Sequence, residues 1–307
     1  MEEKIFDMAV IGAGPAGLTA AIYGGRGGLD VAVFGGPAAG GQLLMTTDIE
    51  NFPGFPNPIS GFDLMTKMIN QAKRLGAQLI SEEAKELQVC CSPFHFKAGS
   101  KEYQARTIVI ATGAQAKWLG LPSEGRLTGK GISGCATCDG FFYKGKEVCV
   151  VGGGDTAAED ALFLTKFASK VYLVHRRDQL RAAFLMQQKI KANPKIEIIY
   201  DHVVEEFLGE TKAEGAVLKN VKTGETKTLK ADGFFIAIGH NPNTALFKEK
   251  VRMDDQGYVI VNSKYETSVE GIYAAGDVCD QIYKQAIVAA GTGCMAAMNA
   301  IKYLETK

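Results

Sequence analysis

Two copies of one short pattern constrain this chain more than anything else in its 307 residues. Each copy is an apolar run, a glycine-rich turn and a segment of helix length. In the first, Phe6 to Ile11 leads into Gly12-Ala-Gly14-Pro15-Ala16-Gly17; Pro15 to Arg26 reads as a helix and Val31 to Phe34 as the next strand. In the second, Glu147 to Val151 leads into Gly152-Gly-Gly154-Asp155-Thr156-Ala157. A helix is expected there over Thr156 to Phe167 and a strand over Val171 to Val174. Short unbroken apolar runs mark strands buried on both faces of a parallel sheet. The chain therefore carries an internal duplication of a βαβ unit, its glycine turns opening at residues 12 and 152.

This predicts an α/β fold of two Rossmann-like dinucleotide-binding domains, of the three-layer β/β/α type, with the second inserted in the first. At about 150 residues per domain the length suits two, each with its own core. Ile108-Val-Ile-Ala111-Thr112-Gly113 and Phe234-Phe-Ile-Ala-Ile-Gly239 are two similar strand exits, and Thr267 to Asp277 ends in a third. Pro122 and Pro242 lie near the expected cuts. Residues 1–115 and 246–307 are expected to form one discontinuous domain and residues 116–245 the other. Two chain crossings, near Ala114 to Lys117 and His240 to Thr244, make a natural hinge.

Lys+Arg and Asp+Glu both number 34, so no basic excess points to nucleic acid or an anionic membrane as partner. The N-terminus opens with Glu2 and Glu3 and has no basic segment before an apolar core. Ala286 to Ile301 is apolar but broken by Gly291, Thr292, Gly293 and Asn299, so a buried helix is expected and not a membrane span. Seven cysteines, an odd number in apolar contexts, do not resemble a secreted disulfide framework. A cytoplasmic protein is expected.

The first turn has the chemistry of phosphate capture by a helix N-terminus. Gly12 permits a tight turn, Gly14 lets backbone approach a pyrophosphate and Gly17 lets helix and sheet pack closely. The carboxylate usually found about 20 residues further on, which would bond a ribose, is missing. Phe34-Gly35-Gly36-Pro37 stands there instead, and backbone groups of Gly35 and Gly36 are the expected substitutes. The helix also carries Gly24, Gly25 and Gly27. Interior glycine costs up to about 1 kcal/mol relative to alanine. Either the helix ends before Gly24 or something packs very close there.

In the second copy, His175-Arg176-Arg177-Asp-Gln-Leu-Arg181 follows the second strand. A solvated basic loop would look the same. At this position of a βαβ unit, however, cations suit the 2′-phosphate of NADP, and a guanidinium fork matches phosphate oxygens.

Between the two copies lies Cys135-Ala-Thr-Cys138-Asp139. The spacing favours an internal disulfide at a helix start, where the dipole lowers a thiol pKa, and Asp139 is placed to move a proton. The alternatives are two inert thiols or half of a zinc site. Zinc needs two more ligands, and there is no second Cys-x-x-Cys or His-x-x-x-His, so no metal is expected. Cys149, Cys294, Cys90, Cys91 and Cys279 read as small buried hydrophobes. Phe141 and Phe142 are either core or an exposed apolar platform.

Taken together these residues resemble the low-molecular-weight bacterial NADPH-dependent thioredoxin reductases, over nearly the whole chain. The likeness rests on Gly12 to Gly17, Gly40-Gly41-Gln42-Leu, Glu50-Asn51-Phe-Pro-Gly54, Ala111-Thr112-Gly113, Cys135 to Tyr143, Gly152 to Asp155, His175-Arg176-Arg177 with Arg181, Gly276-Asp277, and Ile282-Tyr-Lys284-Gln285-Ala286. It implies FAD in the discontinuous domain, with its pyrophosphate at Gly12, Gly14, Pro15, Ala16 and Gly17. Gly35, Gly36, Gly41, Ala111, Thr112, Gly113, Gly276, Lys284 and Ala286 would also contact it, Gln42, Asn51 and Gln285 would lie near the flavin, and Asp277 would bond the ribityl chain. NADPH would sit in the inserted domain at Gly152, Gly154, Asp155, Thr156, His175, Arg176, Arg177 and Arg181. Cys135 and Cys138 would be the redox pair, the second nearest the flavin and the first exchanging with thioredoxin, with Asp139 as acid. A homodimer and rotation of the inserted domain between half-reactions are also implied. The chain departs from the family at Thr156 for Ser, Lys284 for Arg and Lys130 for Arg, the last near the partner surface. A related flavin disulfide reductase or oxidase with another donor or acceptor is the alternative.

Overall fold

The computed structural model describes residues 4–37, 39–45 and 48–307; Glu2 and Glu3 lie outside the described residues. The chain forms two compact units, Met1–Gln115 with Asn241–Lys307, and Ala116–His240.

In the first unit, strand Ile5–Ile11 pairs in parallel with Val31–Phe34 on one side and Lys101–Ile110 on the other. Gln78–Ile80 extends the sheet beyond Val31–Phe34. The long strand Lys101–Ile110 has two jobs. Its end pairs in parallel with Ile272–Ala274, while its start pairs antiparallel with Phe94–Ala98, the middle of a meander that ends in Ala84–Gln88. Met8 and Val10 point into a cluster with Leu18, Ile22, Ala296 and Ala300 of the helices. Phe6, Ala9 and Ile11 point into a second cluster with Phe94, Phe96 and Phe247. From Met8 to Ile11 the side chains alternate between these two apolar faces, so this stretch reads as an unbroken apolar run. Helices, parallel sheet and meander make three layers.

The second unit repeats the plan. Its parallel sheet runs in the order Ile132–Ser133, Gly233–Ala237, Glu147–Gly152, Lys170–Val174, Ile196–Ile199. A three-stranded antiparallel sheet follows, made of His202–Leu208, Gly215–Asn220 and Thr226–Lys230. The crossover helix is Asp155–Leu164, shorter than expected from sequence. It stops because the N–H groups of Phe167 and Ala168 both turn back to the Leu164 carbonyl, while the Phe167 carbonyl is held by the Gly145 N–H. The two connections between units, Ala114–Ala116 and His240–Pro242, are short strands paired with each other.

The helix Pro15–Arg26 does not end before Gly24. Close packing is the reason for its glycines. A Cβ at Gly25 would lie 2.3 Å from the Leu75 carbonyl oxygen, one at Gly24 2.9 Å from Val31 Cγ2, and one at Gly27 2.6 Å from Ile301 Cδ1. The C-terminal helix Ala286–Glu305 is long and apolar enough to cross a membrane. It packs along Pro15–Arg26, with Ala289, Ala296, Ala297 and Ala300 buried and a Cβ at Gly293 only 2.1 Å from the Ala16 oxygen.

Two helical glycines should therefore respond with opposite signs. Gly25→Ala forces a backbone carbonyl to move and should destabilise the protein by about 1–3 kcal/mol. Gly291→Ala meets nothing within 4 Å and should stabilise it by about 1 kcal/mol. Chemical denaturation of the two variants checks both signs.

Candidate active site

Two of the three fingerprint glycines in the first unit are fixed by the protein itself. Gly12 has φ +114°, and a Cβ there would lie 2.2 Å from the Ala111 oxygen; one at Gly17 would lie 1.9 Å from the Gly12 oxygen. Gly14 is different, because a Cβ there meets nothing within 4 Å. It is the N-cap of Pro15–Arg26, no side chain caps it and the first turn holds no acid. Unpaired N–H groups and the positive end of the helix dipole therefore face open space. This cradle fits an anionic pyrophosphate.

Several elements converge on that helix end. Gly41, at φ +65°, would place a Cβ 3.4 Å from Gly14 Cα, and Gly276, at φ +77°, would place one 2.9 Å from Ala16 Cβ. The Gly276 N–H donates to Thr292 Oγ1 at 2.9 Å. Ala111 donates its N–H to Ile11, and Thr112 and Asn243 exchange hydrogen bonds of 2.7 and 2.9 Å ahead of Gly113. The Gln42 amide donates to the Ala114 carbonyl. Asn51 donates to Gln285 Oε1 at 3.3 Å, and Gln285 is the N-cap of the helix that begins at Ala286. Lys284 has φ +46°, and its ammonium donates to the Gln281 carbonyl. Burial, and then the charge of Asp280, pushes the Asp277 carboxyl up to about 6, against the pull of Lys284.

The end of strand Val31–Phe34 departs from the sequence reading. The N–H groups of Gly35 and Gly36 are already taken by the Ile80 and Glu82 carbonyls, at 3.1 and 3.3 Å. Among the described residues no backbone N–H donates to their carbonyls, which are left to substitute for the missing acid. An acid is nonetheless present: Glu83 Cγ and Oε1 lie 3.3 and 3.9 Å from where a Gly36 Cβ would be. It arrives from the neighbouring strand exit, where no spacing rule looks for it.

In the second unit the same construction recurs. A Cβ at Gly152 would lie 2.3 Å from the Ala237 oxygen, whereas at Gly154, the uncapped N-cap of Asp155–Leu164, it meets nothing within 4 Å. Asp155 is occupied, its Oδ1 accepting the Ala183 N–H at 2.7 Å, and Thr156 is exposed beside it. A cavity of about 270 Å³ is lined by Gly152, Gly153, His175, Arg176, Arg181 and His202. The Arg181 N–H donates to the Gly153 carbonyl, which ties the basic loop to the glycine turn. Arg177 is exposed on the same loop, its carbonyl accepting from Asp201. His175 is buried, and burial, followed by the charges of Arg181 and Arg177, holds it below its usual range. Its Nε2 has no hydrogen-bond partner among the described residues. A buried orphan nitrogen beside two guanidinium groups fits a polar, anionic ligand.

Cys135 and Cys138 form a disulfide with Cα atoms 5.4 Å apart. Cys135 is the N-cap of the four-residue helix Ala136–Asp139, and its Sγ accepts the Cys138 N–H at 3.2 Å. The Cys135 N–H donates to Ser133 Oγ at 3.0 Å. Cys138 is exposed and Cys135 half-buried. Burial pushes the Asp139 carboxyl upward, and a hydrogen bond from Ser133 opposes it. Nearby Tyr143 is pushed up to about 12 by burial, then by the charges of Asp139 and Asp232. Phe141 and Phe142 are 56% and 41% exposed, so neither belongs to the core. Cys149 is buried, and Cys279 and Cys294 are half-buried. Cys90 and Cys91, expected inside, are exposed, because they occupy a turn between two strands of the meander.

Fold and site together define a class, the two-domain nucleotide-dependent disulfide oxidoreductases. The family model for pyridine nucleotide-disulphide oxidoreductases matches residues 6–293. The chain is 50% identical over 300 residues to the thioredoxin reductase of Rickettsia conorii, covering 96% of this chain and 97% of that one. It is 48% identical over 308 residues to the thioredoxin reductase of Coxiella burnetii, covering 97% and 96%. The solved thioredoxin reductase from Giardia duodenalis matches with a TM-score of 0.94 at 42% identity, over 99% of this chain and 100% of that one. The chain belongs to the thioredoxin reductases within the pyridine nucleotide-disulphide oxidoreductase family.

The raised Asp277 carboxyl has a measurable consequence. Its folded value of about 6 lies above the ordinary value of about 4, so between these pH values the folded state holds the extra proton. Stability from the protonated form is complete below that window and is lost as pH rises through it. In cofactor-free protein, Asp277→Asn should be more stable than the parent at pH 7 by on the order of 2 kcal/mol, and equal to it below pH 4. Urea denaturation across pH measures the difference.

Proposed function

We propose that this chain reduces thioredoxin disulfide with electrons from NADPH, using FAD and its own Cys135–Cys138 pair, in the cytoplasm and as a homodimer. The observation that carries the reading is the disulfide at a helix start, in a chain that also holds two uncapped glycine cradles. When bound, NADPH supplies an electron pair and FAD relays it.

In this reading Gly12, Gly14, Pro15, Ala16, Gly17 and Gly41 hold the FAD pyrophosphate. Glu83 takes the adenosine ribose at Gly35 and Gly36. Ala111, Thr112, Gly113 and Gly276 shape the wall. Gln42, Asn51 and Gln285 orient the ring, with Lys284 and Ala286 beside them. Ribityl hydroxyls offset the burial of Asp277. Gly152, Gly154 and Thr156 hold the NADPH pyrophosphate, Asp155 braces the loop, and His175, Arg176, Arg177 and Arg181 bind the 2′-phosphate.

The dithiol chemistry balances with these residues. Two electrons break the Cys135–Cys138 bond. The Cys135 thiolate attacks one sulfur of the thioredoxin disulfide, and the displaced thioredoxin sulfur leaves as a thiolate, protonated by Asp139. The raised Asp139 pKa keeps a proton available for that step. Cys138 then attacks Cys135 Sγ, which restores the disulfide and releases reduced thioredoxin. Exposed Phe141 and Phe142 supply an apolar platform for the partner.

The pair needs the flavin to be reduced and solvent to meet a protein disulfide. The dithiol and the NADPH cradle share the unit Ala116–His240, and there is no second Cys-x-x-Cys as relay. The reading therefore has this unit turn on its two paired connections. A cross-link bridging 114–116 to 240–242 should leave flavin bound and lower turnover at least tenfold; undiminished steady-state turnover would count against rotation.

The direct test is anaerobic. NADPH should bleach the yellow protein, and added thioredoxin should then reduce a dye disulfide. Cys138→Ser should keep the bleaching and lose the disulfide reduction. Bleaching that never leads to disulfide reduction in the parent protein would favour another acceptor.

A further inference from the structure

We infer that Cys90 and Cys91 form a chelating site for trivalent thiophilic species, arsenous acid and its organic derivatives among them, separate from the redox pair. The two thiols sit on the turn between strands Ala84–Gln88 and Phe94–Ala98, both exposed, with their sulfurs 3.4 Å apart. The turn is anchored on both sides. Leu87 and Phe94 are 3% and 2% exposed, and Ser92 Oγ donates to the Arg106 carbonyl at 3.2 Å. The sulfurs are thus held outside by residues pinned inside.

Geometry selects the ligand. Metal–sulfur bonds of about 2.3 Å spanning this gap meet at about 95°, close to a trigonal pyramid and narrower than a tetrahedron. Thiolates select soft acceptors. Among the described residues no third His, Cys, Asp or Glu joins the pair, so a four-ligand zinc site cannot be completed. A trivalent centre needs only two sulfurs and keeps its third substituent. Cys90 raises the Cys91 thiol through a hydrogen bond and then through charge, which favours the protonated form of Cys91. The step balances without redox change: two arsenic–sulfur bonds form, two arsenic–oxygen bonds break, and each hydroxide leaves as water with one thiol proton.

In the oxidised enzyme this pair is the exposed dithiol among the described residues. Cys135 and Cys138 are bonded to each other, Cys149 is buried, and Cys279 and Cys294 are half-buried. Two linked sulfurs make the second bond intramolecular, so the adduct should outlast a single-sulfur adduct by about 10²–10⁴-fold.

The test uses oxidised holoenzyme without NADPH and phenylarsine oxide as probe, read by intact-protein mass spectrometry. One adduct per chain is expected, resistant to excess 2-mercaptoethanol and removed by 2,3-dimercaptopropanol. Cys90→Ser and Cys91→Ser should each lose that resistance while still reducing thioredoxin. Peptide mapping of the parent protein, alkylated with iodoacetamide after arsenical treatment, should show Cys90 and Cys91 protected; this needs no variant to fold. The inference is overturned if the parent takes up no adduct, if Cys90→Ser keeps a monothiol-resistant one, or if mapping finds Cys90 and Cys91 alkylated.

Discussion

An uncapped helix end held over the edge of a buried parallel strand is an unfinished interaction, and this protein builds it twice. The cost is local and backbone in character. Gly12 and Gly17 bring carbonyls within distances that no side chain survives, and Gly152 does the same in the second unit. Such contacts fix the helix axis against the sheet, so the first N–H groups point past the strand ends rather than into the core. Among the described residues no side chain caps them at Gly14 or Gly154. An anionic diphosphate would do so with backbone hydrogen bonds and dipole attraction together. The converging loops, from Gly41 to Gly276, then act as walls around a position already set by the backbone.

Much of this was legible in the sequence because glycine and proline carry backbone information locally. The helix Pro15–Arg26 and the strand Val31–Phe34 run between the residues expected of them, since Pro15 opens the helix at a position where its missing N–H costs nothing. The basic loop His175 to Arg181 was readable for the same reason, as it follows a strand of known place in a βαβ unit.

What stayed hidden depends on through-space neighbours. Propensity alone could not say whether Gly24 and Gly25 end a helix or admit a close contact; Leu75 and Val31 decide that. Glu83 escaped because its carboxylate comes from the exit of the next parallel strand, Gln78–Ile80, adjacent in the sheet and remote along the chain. The exposure of Cys90 and Cys91 was misread because an apolar-looking dipeptide on a turn has no second layer to cover it. The early end of Asp155–Leu164 reflects a hydrogen bond from the Gly145 N–H to the Phe167 carbonyl, again from another part of the chain.

The nesting of one unit inside the other sets an order for synthesis on the ribosome. Ala116–His240 is continuous, so every strand of its sheet has emerged before the chain re-enters the host unit. The host sheet lacks Ile272–Ala274, and its first helix lacks the packing of Ala286–Glu305, until almost the last residue is made. The guest can therefore mature while its host still waits with an apolar sheet edge and helix face uncovered. That interval is when this polypeptide is most exposed to misassembly, and when a chaperone has most to protect.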